Sequence, residues 1–147
     1  MLKIIESKIK EIGNEFPSIR FGGCGVFAEL LFDKLTAIDI VPKVIIFGWT
    51  KPIEVEELNK KQPCASKLLK EFHFFHIALK VNKVFIDSDG IHKSFEEIRK
   101  KNKLPFVSQR EIRYKTLRFL NKQGIWNDKF DRKSIPYIRE RFDKIFY

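Results

Sequence analysis

The chain has 147 residues, 44% of them hydrophobic, with 15 phenylalanines and a formal net charge of +10. This length and composition indicate one globular domain, residues 1–147, with a core of its own. Two cysteines, Cys24 and Cys64, exclude a disulfide framework and indicate a reducing compartment, with a single Cys24–Cys64 bond as the alternative. The amino terminus is charged too early for a signal peptide, and the apolar run 44–49 is too short to span a bilayer. We therefore expect a soluble cytoplasmic protein without a membrane partner.

The positive charge is concentrated in the last third of the chain. Residues 1–92 hold 13 Lys and Arg against 12 Asp and Glu, whereas residues 93–147 hold 16 against 7. A basic segment of this kind suits an acidic protein surface or nucleic acid. The alternative is that lysine-rich helices simply keep this surface solvated.

Two predicted helices flank a glycine-rich loop. Apolar residues recur every three or four positions over 2–16 and again over 24–36, which is typical of helices. The loop 18–23 contributes Gly22 and Gly23, and Gly25 follows Cys24. Cys24 therefore lies at a helix start, where unpaired N–H groups and the helix dipole favour a thiolate and can hold an oxyanion. The alternative is a small residue packed under a turn.

The middle of the chain predicts strands. Residues 43–49 are β-branched and aromatic, which indicates a strand buried on both faces, and residues 50–70 predict one or two short helices. Residues 74–81 and 84–89 predict two strands of a hairpin that turns at Asn82-Lys83.

The register of this hairpin brings three polar residues to one face. With Val81 opposite Val84, the numbers of paired residues sum to 165, so His76 lies opposite Asp89. Asp87, two residues before Asp89, is then a diagonal neighbour of His76 on the same face of the sheet. Small Ala78 leaves that face open, while His73 has the opposite parity and points elsewhere. We therefore expect the Asp87 carboxylate to reach the His76 imidazole.

The basic third predicts mainly helices. Ser94 can cap a helix with Glu97 three residues on, and Ser108 can cap a basic helix that runs to about Leu120. A last amphipathic helix covers residues 134–146. Trp126, Phe130 and Tyr137 fit core positions, with a base-stacking set as the alternative.

Cysteine, histidine and aspartate placed in this way are the parts of a catalytic triad. Cys24 is then the nucleophile, His76 the general base and acid, and Asp87 the residue that orients the imidazole, with Asp89 as the alternative orienting residue. We expect no metal, because no metal-binding motif is present and His73 and His76 have opposite parity. No phosphate-binding or dinucleotide loop is present either, so no cofactor is expected.

These blocks resemble the papain-like and transglutaminase-like cysteine hydrolase superfamily, and more narrowly its small phage and bacterial members. The matching runs are Gly23-Cys24-Gly25-x-x-Ala28, His76-x-Ala78-x-x-Val81 and Phe85-Ile86-Asp87-x-x-Gly90, and the segment Trp126–Arg132 resembles a late motif of such proteins. The resemblance implies an α+β papain-like domain in which a central cysteine helix packs on an antiparallel sheet. It implies a catalytic core over 1–92, a basic helical extension over 93–147, and peptidase, amidase or acyl-transfer chemistry on a peptide, amide or acyl substrate through a thioester.

One feature departs from the papain-like pattern, which usually has a glutamine just before the cysteine as an oxyanion donor. Residues 16–23 contain none, so Ser18, Arg20 or the N–H groups of the glycine loop are the candidate substitutes. The alternative function is a non-catalytic binding protein, such as a phage-encoded inhibitor or adaptor. Such a protein would use its basic third to grip an acidic protein or nucleic acid.

Overall fold

The computed structural model describes residues 2–20, 22–50, 72–101, 108–123 and 130–145. Within these ranges the chain is an α+β protein with one antiparallel sheet of order β4-β3-β2-β1-β5. The strands are β1 (Lys43–Thr50), β2 (Phe72–Val81), β3 (Val84–Asp87), β4 (Gly90–His92) and β5 (Ser108–Ile112). The helices are α1 (Leu2–Glu15), α2 (Cys24–Thr36), α3 (Phe95–Lys101), α4 (Tyr114–Gln123) and α5 (Ile135–Ile145), with short 3₁₀ helices at Pro17–Arg20 and Arg132–Ser134.

Most predicted elements are confirmed, and local interactions explain their ends. α3 begins where expected because the Ser94 hydroxyl accepts a hydrogen bond of 3.1 Å from the N–H of Glu97. The β2–β3 hairpin turns at Asn82, whose φ of 55° lies in the left-handed region that asparagine tolerates. Its register pairs Val81 with Val84, as the sum of 165 requires. No helix in the described ranges has the length and apolar character needed to cross a membrane.

The main core lies between one face of the sheet and four helices. β1 is buried along Val44–Gly48, which confirms a strand covered on both faces. Its core-side residues Val44 and Ile46 belong to one apolar cluster with side chains from α1, α2, α4 and α5, including Ile9, Leu31, Leu117 and Phe142. Because α4 and α5 contribute fully buried residues, the basic last third shares this core.

The last third differs from the prediction in one element. A helix was expected from Ser108, but residues 108–112 form β5, which pairs with β1 at the edge of the sheet. Ile112 faces the core while Gln109 and Glu111 are exposed, so this short alternating segment satisfies the free edge of β1. Tertiary pairing therefore overrides the helix signal, and the helix begins later, at Tyr114.

Two further expectations change. Phe130 is buried in the main core as expected, but Tyr137 is 66% exposed on the outer face of α5. The strand predicted over 84–89 ends at Asp87, because Ser88 and Asp89 form the turn into β4. Cys64, Trp126 and almost all of the predicted helices at 50–70 lie outside the described residues.

Candidate active site

Cys24 is the first residue of α2, and its thiol is free and half-buried. Gly23 is the N-cap residue and supplies no side chain to the helix start, so no side-chain cap occupies the first N–H groups. The positive end of the helix dipole is therefore directed at the region of the sulfur. This local arrangement suits a negative charge on Cys24 or on an oxygen beside it.

The glycines before Cys24 let the chain approach itself closely. Gly22 has a φ of 99°, a conformation that residues with a Cβ rarely adopt. A Cβ on Gly23 would lie 2.7 Å from the backbone of Ile19 and 2.9 Å from the ring of Phe130. The loop is thus pressed against the 3₁₀ helix and the core, which fixes the position of the α2 start.

His76 and Asp87 come together as the hairpin register predicts. The Nε2 atom of His76 lies 2.8 Å from Oδ2 of Asp87, and both side chains are buried. Cys24 lies near enough to the same imidazole to contribute, after Asp87, to the raised pKa of His76. Since Nε2 is engaged by Asp87, Nδ1 is the ring nitrogen left for the sulfur. The structure therefore brings all three predicted residues to one site.

A fourth residue, His92, completes this site. Its Nε2 atom lies 2.8 Å from Oδ1 of Asp87, and the residue is only 1% exposed. The N–H of Asp89 donates to the same oxygen at 2.9 Å. Sequence reasoning missed His92, although the signal was present. A turn at Ser88-Asp89 pairs Asp87 with Gly90 and Phe85 with His92, which places His92 diagonally beside Asp87.

The charges of the site stabilise one another. Burial disfavours the charged form of His76, but the hydrogen bonds and charges of Asp87 and Cys24 outweigh this effect and raise its pKa to about 10. Burial likewise disfavours the Asp87 carboxylate, but the hydrogen bonds and charges of His76 and His92 hold its pKa well below the usual range. The site therefore holds an imidazolium and a carboxylate at neutral pH.

The face of the sheet that carries this site is closed, contrary to the expectation for Ala78. Ala78 is fully buried in a second apolar cluster with Phe47 and Phe85, which Ile98 of α3 covers. The Phe47 ring lies 6.1 Å from the His76 ring. Helix α3 thus covers the apolar side chains beside the imidazole, and electrostatic contacts are stronger next to such a buried apolar cluster.

The alternative orienting residue, Asp89, does not pair with His76. Its position in the turn after β3 removes it from the hairpin register, and its carboxylate lies 3.5 Å from Nε of Arg20. The backbone of β2 has a bulge opposite Phe47 and Gly48, between His76 and His73, and the side chain of His73 lies outside what the structure describes. Even so, the described residues contain no cluster of His, Cys, Asp and Glu that could hold a metal ion.

The candidate oxyanion donors take different places. The hydroxyl of Ser18 accepts a long hydrogen bond, 3.5 Å, from the N–H of Asp131. The carbonyl of Gly25 accepts from the Asn121 amide at 3.0 Å, which ties α2 to α4. Arg20 is engaged with Asp89. The remaining candidate oxyanion donors are the backbone N–H groups at the start of α2, which are close to Cys24 in sequence.

Comparison with known proteins gives no relative. No family model, no curated protein and no solved structure matches this chain. What can be said of its function therefore starts from the geometry of the site.

Proposed function

We propose that this protein is a thiol hydrolase or acyltransferase of papain-like architecture, with Cys24 as nucleophile, His76 as acid and base, and Asp87 as orienting residue. The observation that carries the proposal is the buried hydrogen bond of 2.8 Å between His76 and Asp87, with Cys24 acting on the same ring. A cysteine at a helix start, set against an antiparallel sheet, is also the arrangement that the sequence resemblance implies. Peptides, amides and acyl esters are the substrate classes of this chemistry.

The first step forms a thioester. The sulfur of Cys24 attacks the substrate carbonyl carbon, and the resulting oxyanion lies near the N–H groups of the α2 start. The His76 imidazolium donates a proton to the leaving nitrogen or oxygen, the bond to the carbonyl carbon breaks, and the acyl group stays on sulfur. Asp87 holds the imidazole through Nε2, so Nδ1 carries the proton that is transferred.

The second step releases the acyl group. Neutral His76 takes a proton from water, or from another acceptor, as that molecule attacks the thioester carbonyl. The carbon–sulfur bond breaks, and the Cys24 thiolate and His76 imidazolium return. Hydrolysis and acyl transfer differ only in the acceptor, and His92 supports both steps indirectly because it positions Asp87.

The reactivity of Cys24 tests this proposal directly. The rate of alkylation by iodoacetamide is measured across pH 5–10 in a Cys64→Ser background. We expect the rate at about pH 6 to fall at least about tenfold in His76→Ala, because the imidazolium no longer supports a thiolate. Asp87→Asn and His92→Phe should lower it less, since each weakens the support of the imidazole without removing it.

Two controls make the result interpretable. Cys24→Ser, in the same background, should take up no label, and thermal unfolding should show that His76→Ala is folded. If the rate of Cys24 alkylation were the same in the parent protein and in His76→Ala at every pH, the proposed triad would be refuted.

A further inference from the structure

A basic cavity lies between α2, α4 and α5, with a volume of about 550 Å³. Five basic residues line it: Lys115, Arg118, Lys122, Arg132 and Arg139. Glu29 is the one acidic residue among those that line it. The volume falls in the range typical of small-molecule sites, and the lining carries a clear excess of positive charge.

A second feature of the cavity is the pairing of its five basic residues. Within the described ranges no carboxylate forms an ion pair with any of them, whereas Lys10 pairs with Glu6 and Lys144 with Glu140 elsewhere on the surface. The guanidinium carbon of Arg118 lies 6.0 Å from the centroid of the Tyr114 ring. The guanidinium of Arg132 donates a hydrogen bond of 3.1 Å to the backbone carbonyl of Asn121. Within the lining, five positive charges therefore face one carboxylate, that of Glu29, and the excess of positive charge suits an anionic ligand.

The cavity also has an apolar floor on a fixed framework. Val26 and Leu30 of α2 are buried, and Phe119 and Ile135 are half-buried beside them. The buried Asn121 amide donates to the Gly25 carbonyl and to Glu29, at 3.0 and 2.9 Å, and so joins α4 to α2. A ligand would meet a preformed site with a charged rim and an apolar base.

The cavity faces away from the candidate active site. At about 100° per residue, the α2 positions 26, 29 and 30 lie roughly 120–160° around the helix axis from Cys24. The thiol and the cavity thus occupy different sides of α2, so a ligand bound there would leave Cys24 uncovered. This site stands independently of the proposed chemistry.

We propose that this cavity binds a small phosphate ester that carries several negative charges and an apolar or aromatic portion. Polyphosphate concentrates enough negative charge to match five cations, and the planar guanidinium groups of Arg118, Arg132 and Arg139 fit phosphate oxygens. The apolar floor accommodates the uncharged portion. The concave shape and limited volume favour a small ligand over an extended polymer.

Calorimetric titration of the Cys24→Ser protein tests this site, with inorganic triphosphate and adenosine triphosphate as probes. We expect both to bind, and the nucleotide more tightly because it also contacts the floor. Lys115→Gln combined with Lys122→Gln should weaken binding at least about tenfold, since charge-assisted contacts are lost. The matched control, Lys10→Gln with Lys144→Gln, removes the same charge elsewhere and should change affinity less than about twofold.

A third variant, Glu29→Gln, distinguishes loss of binding at a specific site from loss of binding through misfolding, because it should bind the probes more tightly. It removes the negative charge from the lining but keeps an oxygen for the Asn121 amide, so binding should become several-fold tighter. Three results would overturn the proposal: no saturable binding of either probe, equal weakening by the pocket and control variants, or binding only of an oligonucleotide or an oligoglutamate peptide. The last result would indicate a surface for a macromolecule. None of these results depends on Cys24 reactivity.

Discussion

Asp87 receives three hydrogen bonds, and the chemistry of the site follows from their directions. The two imidazoles contact different carboxylate oxygens, and the N–H of Asp89 adds the third bond. Hydrogen bonds to the charged form keep this carboxylate ionised although it is almost fully buried. Its charge then keeps His76 protonated and its ring oriented. His92 is thus a positioning residue that acts on His76 through Asp87.

The pH dependence of stability tests the state of Asp87. Because its folded pKa lies below the unfolded value of about 3.9, its contribution to stability is present above about pH 4 and is lost as the pH falls through the folded pKa. We expect Asp87→Asn to lower the free energy of unfolding by about 2–3 kcal/mol near pH 7, with the difference shrinking toward pH 2. Urea unfolding at intervals of one pH unit measures this.

Asp89→Asn is the matched control for this experiment. The Asp89 carboxylate lies in a partly exposed ion pair with Arg20, so its loss should cost less than about 1 kcal/mol at any pH. A penalty for Asp87→Asn that stays constant from neutral to acid pH would contradict the assignment of an ionised, paired Asp87.

At the scale of elements, the start of α2 is positioned by contact rather than by a cap. The N–H of Phe27 bonds to the Gly23 carbonyl at 2.9 Å, while Gly23 itself packs on the backbone of Ile19. The 3₁₀ helix at Pro17–Arg20 therefore acts as the support for the α2 start. The contact between Gly23 and Ile19 therefore also positions Cys24, the next residue.

We expect Gly23→Ala to destabilise the protein by about 1–3 kcal/mol, because the added Cβ would overlap the Ile19 backbone, which cannot move without shifting the 3₁₀ helix. Gly13→Ala is the matched control, since the atoms nearest to its Cβ would belong to the flexible end of the Arg20 side chain and alanine favours the α1 helix. Chemical denaturation and Cys24 alkylation are measured on both. Equal, small effects would show that the close approach at Gly23 does not position the loop.

On the scale of the whole molecule, the first and last parts of the chain share one core. Phe142 of α5 is fully buried and packs edge-on against Phe27 of α2, with ring centroids 5.6 Å apart. Leu117 and Leu120 of α4 lie in the same cluster, and β5 completes the sheet beside β1. The helix that carries Cys24 therefore depends on the last third for its packing.

Phe142→Ala should lower the free energy of unfolding by about 3–5 kcal/mol, the usual cost of deleting a buried phenylalanine. Tyr137→Ala, on the same helix but exposed, should change it by less than about 0.5 kcal/mol. Urea unfolding, followed by both fluorescence and circular dichroism, should give one cooperative transition for each variant. A separate early transition in Phe142→Ala would mean that α5 unfolds independently of the rest.

The spacing of residues along the chain was sufficient to predict much of the candidate site. Alternation along the hairpin and a two-residue turn at Asn82-Lys83 predicted that Asp87 reaches His76, because pairing in an antiparallel hairpin is set by the turn. Periodicity predicted α1, α2 and α5 for a similar reason, since the apolar face of a helix is visible in the spacing of its residues. These features depend on neighbours in the chain.

Other features were decided only in three dimensions. Residues 108–112 became β5 because β1 offered an unpaired edge, and Ala78 was covered because α3 folds back over its face. His92 reached Asp87 only through the second turn, and the basic cavity arose where α4 and α5 meet α2. The sequence by itself determined the helices and the hairpin register, because residue spacing and turn residues encode both. Tertiary packing decided the contacts between elements that lie far apart in the chain, because no local pattern encodes those contacts.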